Sequence, residues 1–257
     1  MNKRHVVVTG GGTGIGSAIA SELGAAGMYV TVMGRRLEPL QNIARAINSG
    51  LGEESAQAIS CDVTSESAVA EAFKHAVERF GPVDILVNNA GMAPTAPFHK
   101  ISLQGWREVN AVNLDSVFLC SQQVLKGMQD KRWGRIINIA SSAAQKGYAY
   151  VSAYCAAKHA VLGLTRALAL ENATKGVTIN AVCPGYTDTE IIRESVANIV
   201  AKTGRSEEQA LATFTKTNPQ GRLVQPAEVA ATVLWLCQDT SAAITGQAIS
   251  VSGGEVM

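Results

Sequence analysis

A doubly wound α/β fold, one parallel sheet with helices on both faces, is what this sequence predicts. Three observations carry it. Short β-branched runs alternate with longer helical patterns along all 257 residues. Several of those runs are almost wholly apolar, as strands covered on both faces are. A glycine cluster follows the first run directly, where a strand turns sharply into a helix.

The elements follow in order. Strands are expected at His5–Thr9, Tyr29–Met33, Ala56–Cys61, Val83–Asn88, Arg135–Ala140, Thr178–Cys183 and Ala248–Val251. Helices are expected near Gly14–Ala26, Leu37–Asn48, Glu66–Phe80, Leu103–Lys131, Ala153–Ala173 and Pro226–Gln238. In the fifth helix Ala157, Val161, Leu164 and Leu168 fall on one stripe. The chain reads as a single domain, without repeats or a low-complexity linker. Only Tyr186–Gln220 breaks the rhythm, a polar stretch beyond a strand end, where long insertions cover ligand sites. It is expected to form a substrate lid.

Composition excludes several functions. A net charge of +1 gives no general attraction to nucleic acid or anionic membranes. No apolar run approaches the roughly 18 residues of a membrane span. The basic N-terminus leads into three valines and then glycines, too short for a signal peptide. The five cysteines are scattered without metal-ligand spacing, so no metal site is expected and a reducing, cytoplasmic address is.

The first strand runs into T-G-G-G-T-G-I-G, Thr9–Gly16. Gly10, Gly14 and Gly16 permit a tight turn, close backbone approach to a pyrophosphate and close helix packing. Gly12, Thr13 and Ile15 complete the loop, and the helix that starts there aims its free N–H groups at the phosphates. The second strand ends V-T-V-M-G-R-R, with Gly34 where an NAD site carries an acid. Arg35 and Arg36 follow, and guanidinium forks suit a 2′-phosphate. The sequence therefore favours NADP(H), with NAD(H) possible; the other reading of both arginines is solvated surface at a helix start. Asp62 and Val63, after the third strand, either hold an adenine or, for Asp62, cap the next helix; the two roles are compatible. Asn88-Asn89-Ala90-Gly91 ends the fourth strand and suits a backbone wall beside the cofactor, its amides tying neighbouring strands.

The densest chemistry lies between Ser141 and Lys158. Tyr154 and Lys158 stand four residues apart, on one helix face, thirteen residues after Ser141. A free phenol, with pKa about 10, is a poor acid–base group at neutral pH. A neighbouring ammonium favours the tyrosinate and is expected to lower it. Alone, a tyrosine–lysine pair reads first as an ordinary amphipathic helix with a tyrosine on its buried edge.

Together, T-G-x-x-x-G-I-G, N-N-A-G, the serine with Y-x-x-x-K and Pro184-Gly185 resemble the short-chain dehydrogenase/reductase family in order and spacing, over essentially the whole chain. The resemblance implies a seven-stranded Rossmann-like domain, a homotetramer, and hydride transfer between NAD(P) and a carbonyl or alcohol. By position, Tyr154 is then the general acid and Lys158 binds the nicotinamide ribose and depresses the phenol. Ser141, rather than Ser142, bonds the substrate carbonyl. Asn113, in W-R-E-V-N-A-V-N-L, anchors a proton-relay water, with Asn110 the competitor at the wrong spacing. Asn89, Ala90, Gly91, Pro184, Gly185, Thr187 and Thr189 line the cofactor.

The lid with G-R-L-V-Q-P-A-E-V-A, Gly221–Ala230, is similar to 3-oxoacyl-thioester reductases, 3-hydroxyacyl-CoA dehydrogenases and polyketide ketoreductases. It holds Ile191, Ile192, Val196, Ile199, Val200 and Phe214 for an apolar wall. Its bases Arg193, Lys202, Arg205 and Lys216 meet either a coenzyme A or carrier-protein phosphate or only solvent. Lys146 and Tyr148 or Tyr150 are expected at the pocket mouth. The expected reaction is reduction of a 3-oxoacyl thioester with NADP(H). The runner-up is NAD-linked oxidation of a hydroxyacyl-CoA or other secondary alcohol. The third reading is a cofactor-binding sensor or scaffold without turnover.

Overall fold

The computed structural model describes residues 3–257. Met1 and Asn2, which open the N-terminal stretch read above as lacking a signal peptide, lie outside the described residues. Seven parallel strands form one sheet in the order β3-β2-β1-β4-β5-β6-β7. They are β1 His5–Thr9, β2 Tyr29–Gly34, β3 Ala56–Ser60, β4 Ile85–Asn88, β5 Gly134–Ile139, β6 Val177–Pro184 and β7 Ala248–Val251. Each predicted strand is present, with ends shifted by at most two residues. The order reverses between β1 and β4, which opens a crevice at the carboxyl ends of the strands, the place where doubly wound sheets bind ligands.

The period-two alternation of a strand divides the core between two faces. Val6 and Val8 pack with Ile19 and Leu23 of α1 (Gly14–Ala25), Leu40 of α2 (Leu37–Leu51) and Val233 and Leu236 of α9 (Pro226–Cys237). Val7, Leu86, Ile136 and Ile179 pack with Phe73 of α3 (Glu66–Phe80) and Val124 and Met128 of α5 (Ser116–Lys131). Each such side chain, fully buried, contributes roughly 1.5–3 kcal/mol. All five cysteines are free and buried. Among the described residues no helix is long and apolar enough to cross a membrane.

Two segments depart from expectation. The helix expected over Leu103–Lys131 is broken. It comprises α4 (Leu103–Asn110), a π-helical turn at Ala111–Asp115, and α5. The lid contains two helices, α7 (Glu190–Thr203) and α8 (Glu207–Thr215), the second opened by a Ser206–Gln209 capping box.

Candidate active site

The glycine loop is built as its spacing requires. Gly10 and Gly14 adopt φ of +63° and +55°. A side chain on Gly16 would stand 2.2 Å from Gly10 O and 2.4 Å from Asn89 Nδ2. Thr13 caps α1 in extended conformation. Ile15 packs on the core cluster beneath the loop. The fourth strand braces this turn: Asn89 Nδ2 donates to Thr9 O (3.0 Å) and Gly10 O (3.1 Å), while Asn89 N and Ala90 N donate to Thr9 Oγ1. Asn88 Nδ2 donates to Asn138 Oδ1 at 2.9 Å, so the expected amide tie between strands is present.

Gly12 lies against Pro39 and Leu40, beside the turn that carries Arg35 and Arg36. Both arginines are exposed at that turn, and Arg36 precedes the first residue of α2. The Asp62 carboxylate accepts from Thr64 N (3.0 Å) and Thr64 Oγ1 (2.7 Å), which hold its pKa below the ordinary value. The cap of α3 is Ser65, not Asp62, so Asp62 closes the preceding turn instead. Val63 beside it is buried.

α6 (Ser152–Asn172) aims Tyr154 and Lys158 at the crevice from one face. Lys158 is 4% exposed, and its Nζ donates to Ile139 O at 2.8 Å and stands 5.7 Å from the Tyr154 ring centroid. Burial lowers its pKa to about 8. Burial also raises the Tyr154 phenol, against the opposing pull of Ser141. The lowering of this phenol expected from Lys158 is not found: desolvation favours the neutral form of both groups, and the one opposing pull on Tyr154 comes from Ser141. Ser141 Oγ accepts from Ala143 N at 3.1 Å, whereas Ser142 Oγ is held by Tyr148 Oη at 2.7 Å. Only the first serine is turned to Tyr154.

The π-helical turn places Asn113. The extra residue rotates it inward, where it is fully buried; Nδ2 donates to Met92 O (2.8 Å) and Val109 O (2.9 Å), and Oδ1 accepts from Met92 N (3.3 Å). Asn110 only bonds back to Trp106 O. Gly91 separates Asn113 from Lys158: a side chain there would meet Asn113 Oδ1 at 2.9 Å and Lys158 Nζ at 3.7 Å. The backbone of N-N-A-G thus leaves a cradle above the ammonium that any larger residue would fill.

Opposite this wall, Pro184 ends β6. Gly185 accepts from Thr187 Oγ1 at 3.0 Å, and Asp188 N and Val224 N close a short parallel bridge at the base of the lid. Thr189 caps α7 with its backbone only, and its methyl lies 3.2 Å from where Gly14 would carry a side chain. The lid therefore begins directly over the glycine loop. Arg193 Nε pairs with Asp188 Oδ1 at 3.1 Å, while Lys202, Arg205 and Lys216 are exposed. Tyr186 packs edge-on against Tyr148 (5.9 Å) and Phe214 of α8 (5.2 Å). Tyr150 is exposed, at φ +67°. Sequence reasoning missed Tyr186 and the buried Glu255, whose Oε1 accepts from Tyr148 Oη at 2.7 Å.

This geometry is that of a dinucleotide crevice with a serine, tyrosine and lysine at its floor, and the short chain dehydrogenase family model matches residues 4–200. The chain belongs to that family and is an NAD(P)-dependent oxidoreductase acting on a carbonyl or alcohol. It is 40% identical, over 98% of both chains, to an acetoacetyl-CoA reductase of Rhizobium meliloti (strain 1021). To a D-beta-hydroxybutyrate dehydrogenase of the same strain it is 36% identical, again over 98% of both. Among solved structures, a variant actinorhodin polyketide ketoreductase with NADPH superposes with a TM-score of 0.93 at 39% identity, covering 98% of this chain and 97% of that one.

Proposed function

We propose that this protein is an NADP(H)-dependent reductase of 3-oxoacyl thioesters, carried by coenzyme A or a carrier protein. The observation that carries the reading is Tyr154 beside Ser141 at the floor of the crevice, its phenol kept protonated by burial. A reductase needs that proton. The names of the relatives supply the 3-oxo substrate class, and NADPH in the polyketide ketoreductase supports the arginine argument.

The residues present fit a dinucleotide: the Gly16 contact forces close helix packing, and Gly91 leaves a cradle over Lys158. Gly10, Gly12, Thr13, Gly14 and Ile15 would hold the pyrophosphate, Arg35 and Arg36 the 2′-phosphate, and Asp62 and Val63 the adenine. Asn89, Ala90, Gly91, Pro184, Gly185, Thr187 and Thr189 would hold the nicotinamide end. When bound, the cofactor supplies the hydride for the carbonyl carbon. Tyr154 Oη gives its proton to the carbonyl oxygen, and the Ser141 hydroxyl donates to the same atom, where negative charge develops. Ser142 is held by Tyr148 and does not compete. Lys158 uses one N–H on Ile139 O and keeps the others for the ribose and the proton path. Asn113 fixes the Met92 backbone beside that path.

Exposed Phe118 on α5 and Leu170 on α6 support the homotetramer that family resemblance implies. A substrate panel tests the chemistry. Acetoacetyl-CoA is expected to be reduced in preference to small ketones and sugars, and turnover of those alone would overturn the thioester reading. In the same assay Arg35→Ala should raise the NADPH KM by about tenfold or more, consistent with losing a charge-assisted bond, and leave the NADH KM nearly unchanged. An equal effect on both cofactors would refute the 2′-phosphate assignment.

A further inference from the structure

A buried acid that the reaction does not use lies behind the serine loop, against the segment that follows Pro184. The Glu255 side chain is 1% exposed. Its Oε1 accepts from Tyr148 Oη at 2.7 Å and pairs with Lys146 Nζ at 3.1 Å. Its Oε2 is buried without a hydrogen-bond partner, and a side chain on Gly185 would come within 3.0 Å of it. The acid therefore sits against the segment that follows Pro184 and beside Tyr186, whose phenol is raised by burial and by the Glu255 charge. Tyr148, raised mainly by burial, keeps its proton and bridges Glu255 to Ser142, the neighbour of Ser141. Ser250 Oγ donates to Gln145 Oε1 at 3.0 Å, so the C-terminal segment is fastened to the serine loop at a second point.

Two consequences follow for charge. Lys146 is the one cation between Ser141 and Tyr154, and it is engaged by Glu255 rather than free to meet a substrate anion. Lys158 is buried and directed to Ile139 O. The buried carboxylate, with an unsatisfied Oε2, disfavours a second carboxylate nearby, and its hold on Lys146 withholds the cation that would offset one. In a free 3-oxo acid the negative charge sits two carbons from the reacting carbonyl; in an ester or thioester that position is neutral.

We infer that Glu255 is a specificity-determining residue that restricts the site to neutral 3-oxo esters and thioesters and excludes free 3-oxo acids. This rests on the reading of the crevice as a 3-oxo reductase and names the charge state of its substrate. Glu255 touches neither cofactor nor reacting atoms; it acts through its field and through its hold on Lys146.

The test compares ethyl acetoacetate with acetoacetate, which share one carbon skeleton, at saturating NADPH. The wild type prefers the ester. Glu255→Gln keeps the size of the side chain and an acceptor for Tyr148, removes the charge and frees Lys146. It should reduce the ester-over-acid preference in kcat/KM by about tenfold or more, mainly through a lower KM for the acid, while ester kcat/KM stays within about threefold. Adding Lys146→Met should abolish the gain on the acid. Calorimetric titration of both compounds into the NADP+-loaded protein should show the same change in ratio without turnover. An unchanged ratio, an equal loss on both substrates, or a wild type that takes acetoacetate as readily as its ester would each overturn the inference. Reduction of the ester with acetoacetyl-CoA inert would sink the thioester reading while leaving the charge selection standing.

Discussion

Tyr154 and Lys158 share one environment and respond to it in opposite directions: burial holds the phenol's proton on and pushes the ammonium's off. Tyr154→Phe removes the proposed proton donor without altering the glycine loop. It should lower kcat by about 10²–10⁴-fold while NADPH binding, followed by fluorescence, is retained. Lost binding at the same time would mean that the ring is a structural support. Lys158 gives a pH signature. In the folded chain it loses its proton at about 8, against an ordinary value of 10.5. Between those values the unfolded chain binds more protons, so stability from this group rises with pH across that window. In Lys158→Met the rise is absent: its stability advantage over wild type, measured by urea unfolding, should be largest below pH 8 and shrink toward pH 10. A difference independent of pH would show that the ammonium is not desolvated. The two-arginine turn and the serine–tyrosine–lysine spacing were legible in sequence because each is a local pattern. Glu255 was not, because its bond to Tyr148 spans 107 residues.

At the scale of elements, the strands were read correctly because a parallel strand covered on both faces is a near-continuous apolar run. The break at Ala111–Asp115 was not legible. The helical period runs on through Leu103–Lys131, and one extra residue per turn leaves no mark in composition. The turn nonetheless decides which asparagine faces inward. The two lid helices were hidden for a different reason: only Val196 of α7 and Ala210 of α8 are buried, so neither shows a strong apolar stripe. The junction of β1 and α1 is the most constrained element. Gly16→Ala would drive a methyl to 2.2 Å from Gly10 O. The expected result is a loss of about 1–3 kcal/mol in stability and a weakened NADPH site, measured by thermal unfolding with and without cofactor. Unchanged stability and affinity would mean that the loop tolerates the shift and does not set the pyrophosphate position.

Across the whole molecule, strand order and site position are linked. The reversal between β1 and β4 opens the crevice, the glycine loop and N-N-A-G form its two walls, and α6 supplies the floor. The C-terminal segment and the lid approach from the β6 side, so the substrate end of the site is assembled from parts far apart in the chain. That is why the reaction class could be read from sequence, whereas the contact of Glu255 with Tyr148 required the packed structure. The central claim is that this assembly reduces a 3-oxoacyl thioester with NADPH. Its most direct test is the initial rate of NADPH and of NADH oxidation with acetoacetyl-CoA. Fast turnover with NADPH and little with NADH is the predicted result. Turnover with NADH alone, or none with either cofactor while other ketones are reduced, would contradict it.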